Sequence, residues 1–132
     1  MKITSIRTYF ATPRCLLVRV DTDEGITGVG EALPDKGAAT VGPIRHLAAF
    51  LAGKDPRQIE LHWQEMYRGG FWRGGPILNA AISGIEQALW DVTGKWLGAP
   101  VSALLGGACR TKVKAYRGIG GGTLDDLANS AK

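Results

Sequence analysis

The densest run of residues able to do chemistry in this chain is Phe71-Trp72-Arg73-Gly74-Gly75-Pro76. Glycine lets a ligand come close to the backbone, and an aromatic pair beside a guanidinium suits a polyol with polar edges and apolar faces. The run sits at the start of a long helical pattern, where free amides and the helix dipole favour an anion. The same residues have a plainer use, in which Phe71 and Trp72 pack into a seam and the glycines turn the chain. No Gly-Lys-Ser/Thr follows, so phosphate binding has weak support.

Other candidates are more scattered. Arg14 ends the loop Ala11-Thr12-Pro13-Arg14 and could present its planar fork of donors to an anion, or simply be solvated. A second loop carries Glu31, Pro34, Asp35 and Lys36. Two acids four apart on a loop are solvated charges rather than a metal site. Glu86 and Asp91 fall in one helical stretch but point well apart at 100° per residue, so they suit contacts to neighbouring elements better than shared acid–base work. His46 and His62 lie in different helical stretches and read as surface or packing histidines. Cys15 opens an apolar strand and reads as a small core residue, and with Cys109 it forms neither a disulfide framework nor a zinc site. No residue is assigned a catalytic or metal-ligating role.

These residues have to be held by something. The chain has 132 residues, 45% hydrophobic and 21% charged, which suits one globular domain or a domain plus a stub. A chain of this length buries roughly two-thirds of its unfolded surface. The net charge of +4 is spread without a basic run or an aromatic-interleaved stripe, which argues against a nucleic-acid footprint. No apolar run approaches the ~20 residues of a membrane span, and no signal core opens the chain, so the expected location is the cytoplasm.

The periodicity predicts strands over 2–10, 15–21 and 26–31, with Leu16, Val18 and Val20 on one face and a tight turn at Thr22-Asp23-Glu24-Gly25. Ile44, Leu47, Ala48 and Leu51 predict a helix over about 40–52, stopped by Gly53. Asp55, Pro56 and Gln58 read as the N-cap, first position and capping-box partner of a helix reaching Arg68, with Ile59, Trp63 and Met66 on its apolar face. The longest helix spans about 77–96. Leu78, Ile82, Ile85, Leu89, Val92 and Trp96 form its buried stripe, and Ala80, Ala81, Gly84 and Ala88 permit close packing. Residues 101–105 form a short turn or helix, 112–116 alternate as a strand, and 123–132 begin another helix. The fold class is therefore α+β: a three-stranded antiparallel meander, a helical bundle, and the first β-α unit of a parallel architecture. The domain reading is 1–110 followed by 111–132, and a lone parallel strand implies absent neighbours.

Five stretches carry a family resemblance: Val20 through Glu31, Met66-Tyr67-Arg68, Phe71 through Ile77, Ala88 through Lys95, and Pro100 through Gly107. Taken in order, they resemble the mandelate racemase and muconate lactonizing branch of the enolase superfamily, and the Arg73-Gly74-Gly75-Pro76-Ile77 run is most similar to the galactonate dehydratase group. The resemblance implies an N-terminal domain that caps a modified (β/α) barrel, with Mg2+ ligands and acid–base residues on barrel strands outside this chain. It also implies that the loops holding Arg14 and holding Asp35 and Lys36 act as lids, with Phe71, Trp72 and Arg73 as further substrate-side or seam candidates.

The implied full-length enzyme is a Mg2+-dependent sugar-acid dehydratase, a carbon–oxygen lyase. It would remove the proton alpha to a carboxylate and expel the β-hydroxyl. The implied partners are a small-molecule carboxylate, bound through the barrel, and further copies in a homo-oligomer. The 132 residues alone would be inactive. Alternatives are a racemase, epimerase or cycloisomerase of the same superfamily, or a non-catalytic stand-alone piece with an interaction role.

Overall fold

Alternating burial shapes the first third of the chain. The computed structural model describes residues 1–11, 14–33, 37–116, 118 and 120–130. Strands β1 (Ile3–Ala11), β2 (Cys15–Thr22) and β3 (Thr27–Ala32) form one antiparallel sheet in the order β1-β2-β3. Val18 stands opposite Thr8 on one side and Gly30 on the other, and a register irregularity falls between Ile3 and Ser5. Leu16, Val18 and Val20 point inward and are buried, while Leu17, Arg19 and Asp21 take the outer face. Cys15 shares that outer face and is half-buried, so it is not a core residue. Strand alternation places it opposite in sense to Leu16.

Helices α1 (Gly37–Leu51) and α3 (Pro76–Leu97) cover the inner face, and α2 (Ile59–Arg68) packs against α3. Ile44, Leu47 and Leu51 of α1 join Ile82, Ile85, Leu89 and Val92 of α3 and the inward strand residues in a single core cluster. Contact between α3 and β3 is set by missing side chains. A Cβ on Gly28 or Gly30 would collide with the backbone of Ala88 or Gly84, and one on Gly84 would lie 2.9 Å from the Val18 side chain. The helix therefore rests on the strand almost backbone to backbone, which only glycine at these positions permits.

Three further expectations are corrected. Asp55 does not cap α2, which begins at Ile59 with Gln58 as its N-cap and no side-chain cap bond. The Asp55 carboxylate accepts from the Arg57 backbone N–H at 3.0 Å and from its guanidinium at 2.6 Å. Arg57 thereby holds Asp55 well below the usual carboxylate range, at about 2. A carboxylate committed to an adjacent guanidinium is not free to cap. Instead His62, buried on α2, donates from Nε2 to the Asp55 carbonyl at 2.7 Å and ties the turn to the helix.

Trp96 does not extend the buried stripe; it is 44% exposed, under the Arg57 guanidinium at 4.6 Å. Lys95 already reaches Thr27, the first residue of β3, so α3 has run past the sheet by Trp96.

Residues Lys112–Tyr116 make no strand pairing, and the sheet of the described residues ends with β3. A strand exists only through a partner, and none among the described residues pairs with this segment. After the short α4 (Val101–Leu104), α5 (Leu124–Ser130) does form. Its first turn is closed by Thr123 and Asp126, which exchange backbone-to-side-chain bonds at 3.1 and 3.2 Å. No described residue after Gly94 is buried.

Candidate functional site

Sheet geometry gathers one end of the molecule. Ala11 pairs with Cys15 and Leu16 with Ala32, so the β1–β2 turn and the segment leaving β3 emerge from the same end. The Phe10 ring leans on the start of α1, where a Cβ on Gly37 would lie 2.7 Å from it. Arg14 sits exposed in this turn. Pro34, Asp35 and Lys36 lie outside the described residues. Nearby, burial and the Glu31 carboxylate push the Cys15 thiol above its usual range.

Helix α3 runs antiparallel to β3, with Lys95 at Thr27 and Gln87 at Glu31. Its N-terminal half therefore points toward that same end of the sheet, where Ala80 and Ser83 line a shallow hollow with Glu31, Ala32 and Leu33. Ahead of the helix, Gly74 and Gly75 adopt φ of +79° and +81°, a left-handed backbone that favours glycine. Pro76 takes the first helical position, and Gly75 supplies no side-chain cap. The first turn of α3 also carries no acid, so its amides and dipole stay unneutralised from within the helix.

Phe71 and Trp72 are 89% and 86% exposed and stack edge to face at 5.1 Å. Arg73 beside them is exposed too. Trp72 forms the lip of a groove of about 620 Å3 between α1 and α2, lined also by His46, Phe50, Glu65, Met66 and Leu78. The structure thus separates the sequence candidates: Arg14 belongs to the sheet end, Trp72 to the α1–α2 groove. The groove has apolar walls and one committed acid. Glu65 accepts from Lys54 at 2.9 Å, a contact that lowers its pKa, and the Lys54 ammonium covers the Phe50 ring at 3.4 Å.

Acids elsewhere are equally occupied. On the outer sheet face, partial burial pushes Asp21 up, but the Ser5 hydroxyl and the Arg7 and Arg19 guanidiniums, each at 2.7 Å, outweigh it and hold Asp21 at about 2. Asp91 accepts from the Val29 N–H at 2.9 Å and from Lys95 at 2.7 Å, and Glu86 accepts from the Trp90 indole at 3.4 Å. The sequence reading passed over the Asp21 cluster. Its signal was Arg19 and Asp21 two apart on one strand face, across from Arg7. Among the described residues no three His, Cys, Asp or Glu side chains are placed to hold a metal ion. The arrangement can bind and enclose.

The family model of the mandelate racemase / muconate lactonizing enzyme N-terminal domain matches residues 3–106. The chain belongs to this family. It is 54% identical over 122 residues, 92% of its length, to a D-galactonate dehydratase of Xanthomonas campestris pv. campestris. A crystal structure from Mesorhizobium loti, provisionally called a dehydratase, superposes with a TM-score of 0.87 at 44% identity, covering 99% of this chain and 38% of that one. An enolase from Pantoea ananatis, solved with bound D-gluconate and Mg, gives 0.78 at 43% identity, covering 83% of this chain and 28% of that one. The chain spans about a third of the length of the curated relatives it matches. The meander-plus-helices body is the enolase-type N-terminal capping domain. Among the described residues no helix is long and apolar enough to cross a membrane.

Proposed function

We propose that this family member serves as the capping domain of a Mg2+-dependent sugar-acid dehydratase that acts on a galactonate-like aldonate. The observation that carries the reading is 54% identity over 92% of the chain to a D-galactonate dehydratase. The reaction is loss of the proton alpha to the carboxylate and of the β-hydroxyl, a carbon–oxygen lyase chemistry. The boundary lies near residue 110, and 111–132 open the barrel domain. The acids described above are all committed to neighbours, so these residues do not fit a metal and the Mg2+ ligands belong to the barrel. The capping residues alone are inactive.

Arg14 at the sheet end, Phe71, Trp72 and Arg73 ahead of α3, and Asp35 and Lys36 from the sequence are the substrate-side candidates. The exposed guanidiniums fit a carboxylate or hydroxyls, and an unneutralised helix N-terminus reinforces the preference for an anion. Their task is to exclude water and orient the ligand. The full protein is cytoplasmic and assembles as a homo-oligomer.

The test is turnover by the full-length enzyme of a panel of aldonates with Mg2+. Dehydration of galactonate or a close epimer is expected, and no turnover of any sugar acid would overturn the reading. Within an active enzyme, Arg14→Ala and Arg73→Ala should each raise KM about tenfold, the worth of one charge-assisted hydrogen bond, with kcat little changed. The Pantoea ananatis enolase supports a second substrate, since D-gluconate is the ligand bound there.

A further inference from the structure

The outer edge of β3 is closed by side chains rather than by a fourth strand. An antiparallel edge strand turns the N–H and C=O of every second residue outward, and here those residues are Thr27, Val29 and Glu31. Each is met by α3. The Val29 N–H donates to Asp91 Oδ2 at 2.9 Å. The Glu31 N–H donates to the Gln87 amide oxygen at 3.2 Å, and the Gln87 amide nitrogen returns a bond to the Glu31 carbonyl at 3.3 Å. Lys95 Nζ donates to the Thr27 carbonyl at 2.8 Å and braces Asp91 at 2.7 Å.

The match is one of pitch. Gln87, Asp91 and Lys95 are four apart, about 6 Å of helix per step, and their partners are two apart, about 6.6 Å of strand. The near-equal rises let one helical ridge follow a strand edge for two steps. The glycine-tight seam keeps the two backbones close enough for short side chains to reach. At the opposite edge, β1 is engaged at its first residue, where Ile3 exchanges bonds with Gly53 and Lys54 at 2.8 and 2.9 Å.

We infer that Gln87, Asp91 and Lys95 act as a polar edge lock that keeps β3 from pairing with a second copy of this chain. With the lock removed, β3 offers a short run of unpaired main-chain groups beside the half-exposed Val29 side chain. Its best partner is the same strand of another molecule, running antiparallel and extending the sheet across the pair. The lock is a property of α3 against β3 and is independent of the reaction the full protein performs.

The experiment compares the native full protein with Gln87→Ala/Asp91→Ala. Sedimentation velocity across a concentration series reads association, and amide hydrogen exchange reads the edge itself. The expected result is association beyond the native state as concentration rises. In dilute samples the Val29 and Glu31 amides should exchange about tenfold faster or more, the factor for one lost hydrogen bond of ordinary worth. Asp91→Asn keeps an oxygen acceptor for Val29 and should associate like the native protein. If the double variant fails to fold, Gln87→Ala alone should speed exchange at Glu31 and leave Val29 unchanged. Native exchange at both amides, or a folded double variant with no added association at any concentration, overturns the inference.

Discussion

Residues Thr27–Ala32 and Lys112–Tyr116 are two short segments, both expected as strands, with opposite fates. The first has Gly28, Gly30 and Ala32 facing inward and sits between β2 and α3, hydrogen-bonded on one side by backbone and on the other by Gln87, Asp91 and Lys95. Its residues have low strand propensity, two of them glycine, yet it is a strand. The second carries Val113 and Tyr116 and alternates well, yet those side chains are 79% and 99% exposed and no strand among the described residues pairs with it. Neighbours decide a strand more strongly than its own side chains do, because the backbone groups of an isolated strand are satisfied equally well by water.

That contrast can be broken most sharply at the shared core. Leu89→Ala removes a fully buried side chain on the face of α3 that covers the sheet. It should cost about 2–5 kcal/mol, measured by chemical denaturation. Gly30→Ala tests the seam itself. Its methyl would meet the Gly84 carbonyl and, at 2.9 Å, the Ala88 amide nitrogen, both backbone atoms unable to swing aside. A loss of about 1–3 kcal/mol is expected, measured by chemical denaturation, with the displacement of α3 visible as altered tryptophan fluorescence.

Acid should loosen the sheet from its outer face next. Asp21 sits at about 2 when folded against an ordinary value of 3.8, so its contribution is complete above about pH 4 and is lost as pH falls toward 2. Because Arg7 and Arg19 are half-exposed, the contribution is on the order of 1 kcal/mol. Asp21→Asn should lower stability at neutral pH and flatten the acid limb of a pH–denaturation series; an unchanged limb would assign the acid sensitivity to Asp55, held low by Arg57. Smallest of all, Val113→Ser and Tyr116→Ser should shift the stability of the 132-residue chain by less than about 0.5 kcal/mol, since neither side chain touches the core. In the full-length protein the same pair should cost several times more if 111–132 open a barrel.

Much of this was readable beforehand, for local reasons. Leu16, Val18 and Val20 at period two, and Ile82, Ile85, Leu89 and Val92 at steps of three and four, each name a buried face without help from the rest of the chain. Gly25 in its turn and Thr123 at its helix start are equally local. The misjudged residues all depend on a neighbour. Asp55 looked like a cap until Arg57 took its carboxylate, Trp96 looked buried until α3 outran β3, and Cys15 looked internal until the register set it on the outer face.

The amino-acid order alone specified the meander, the three long helices, the small-residue stripe and the family resemblance, because periodicity and turn chemistry act over a few residues. Only the folded molecule decided that Trp72 borders the α1–α2 groove while Arg14 stands at the sheet end, and that Gln87, Asp91 and Lys95 clasp β3. Those pairings join residues 56 to 68 positions apart, and a contact at that range is set by how helix and sheet pack, which no local pattern encodes.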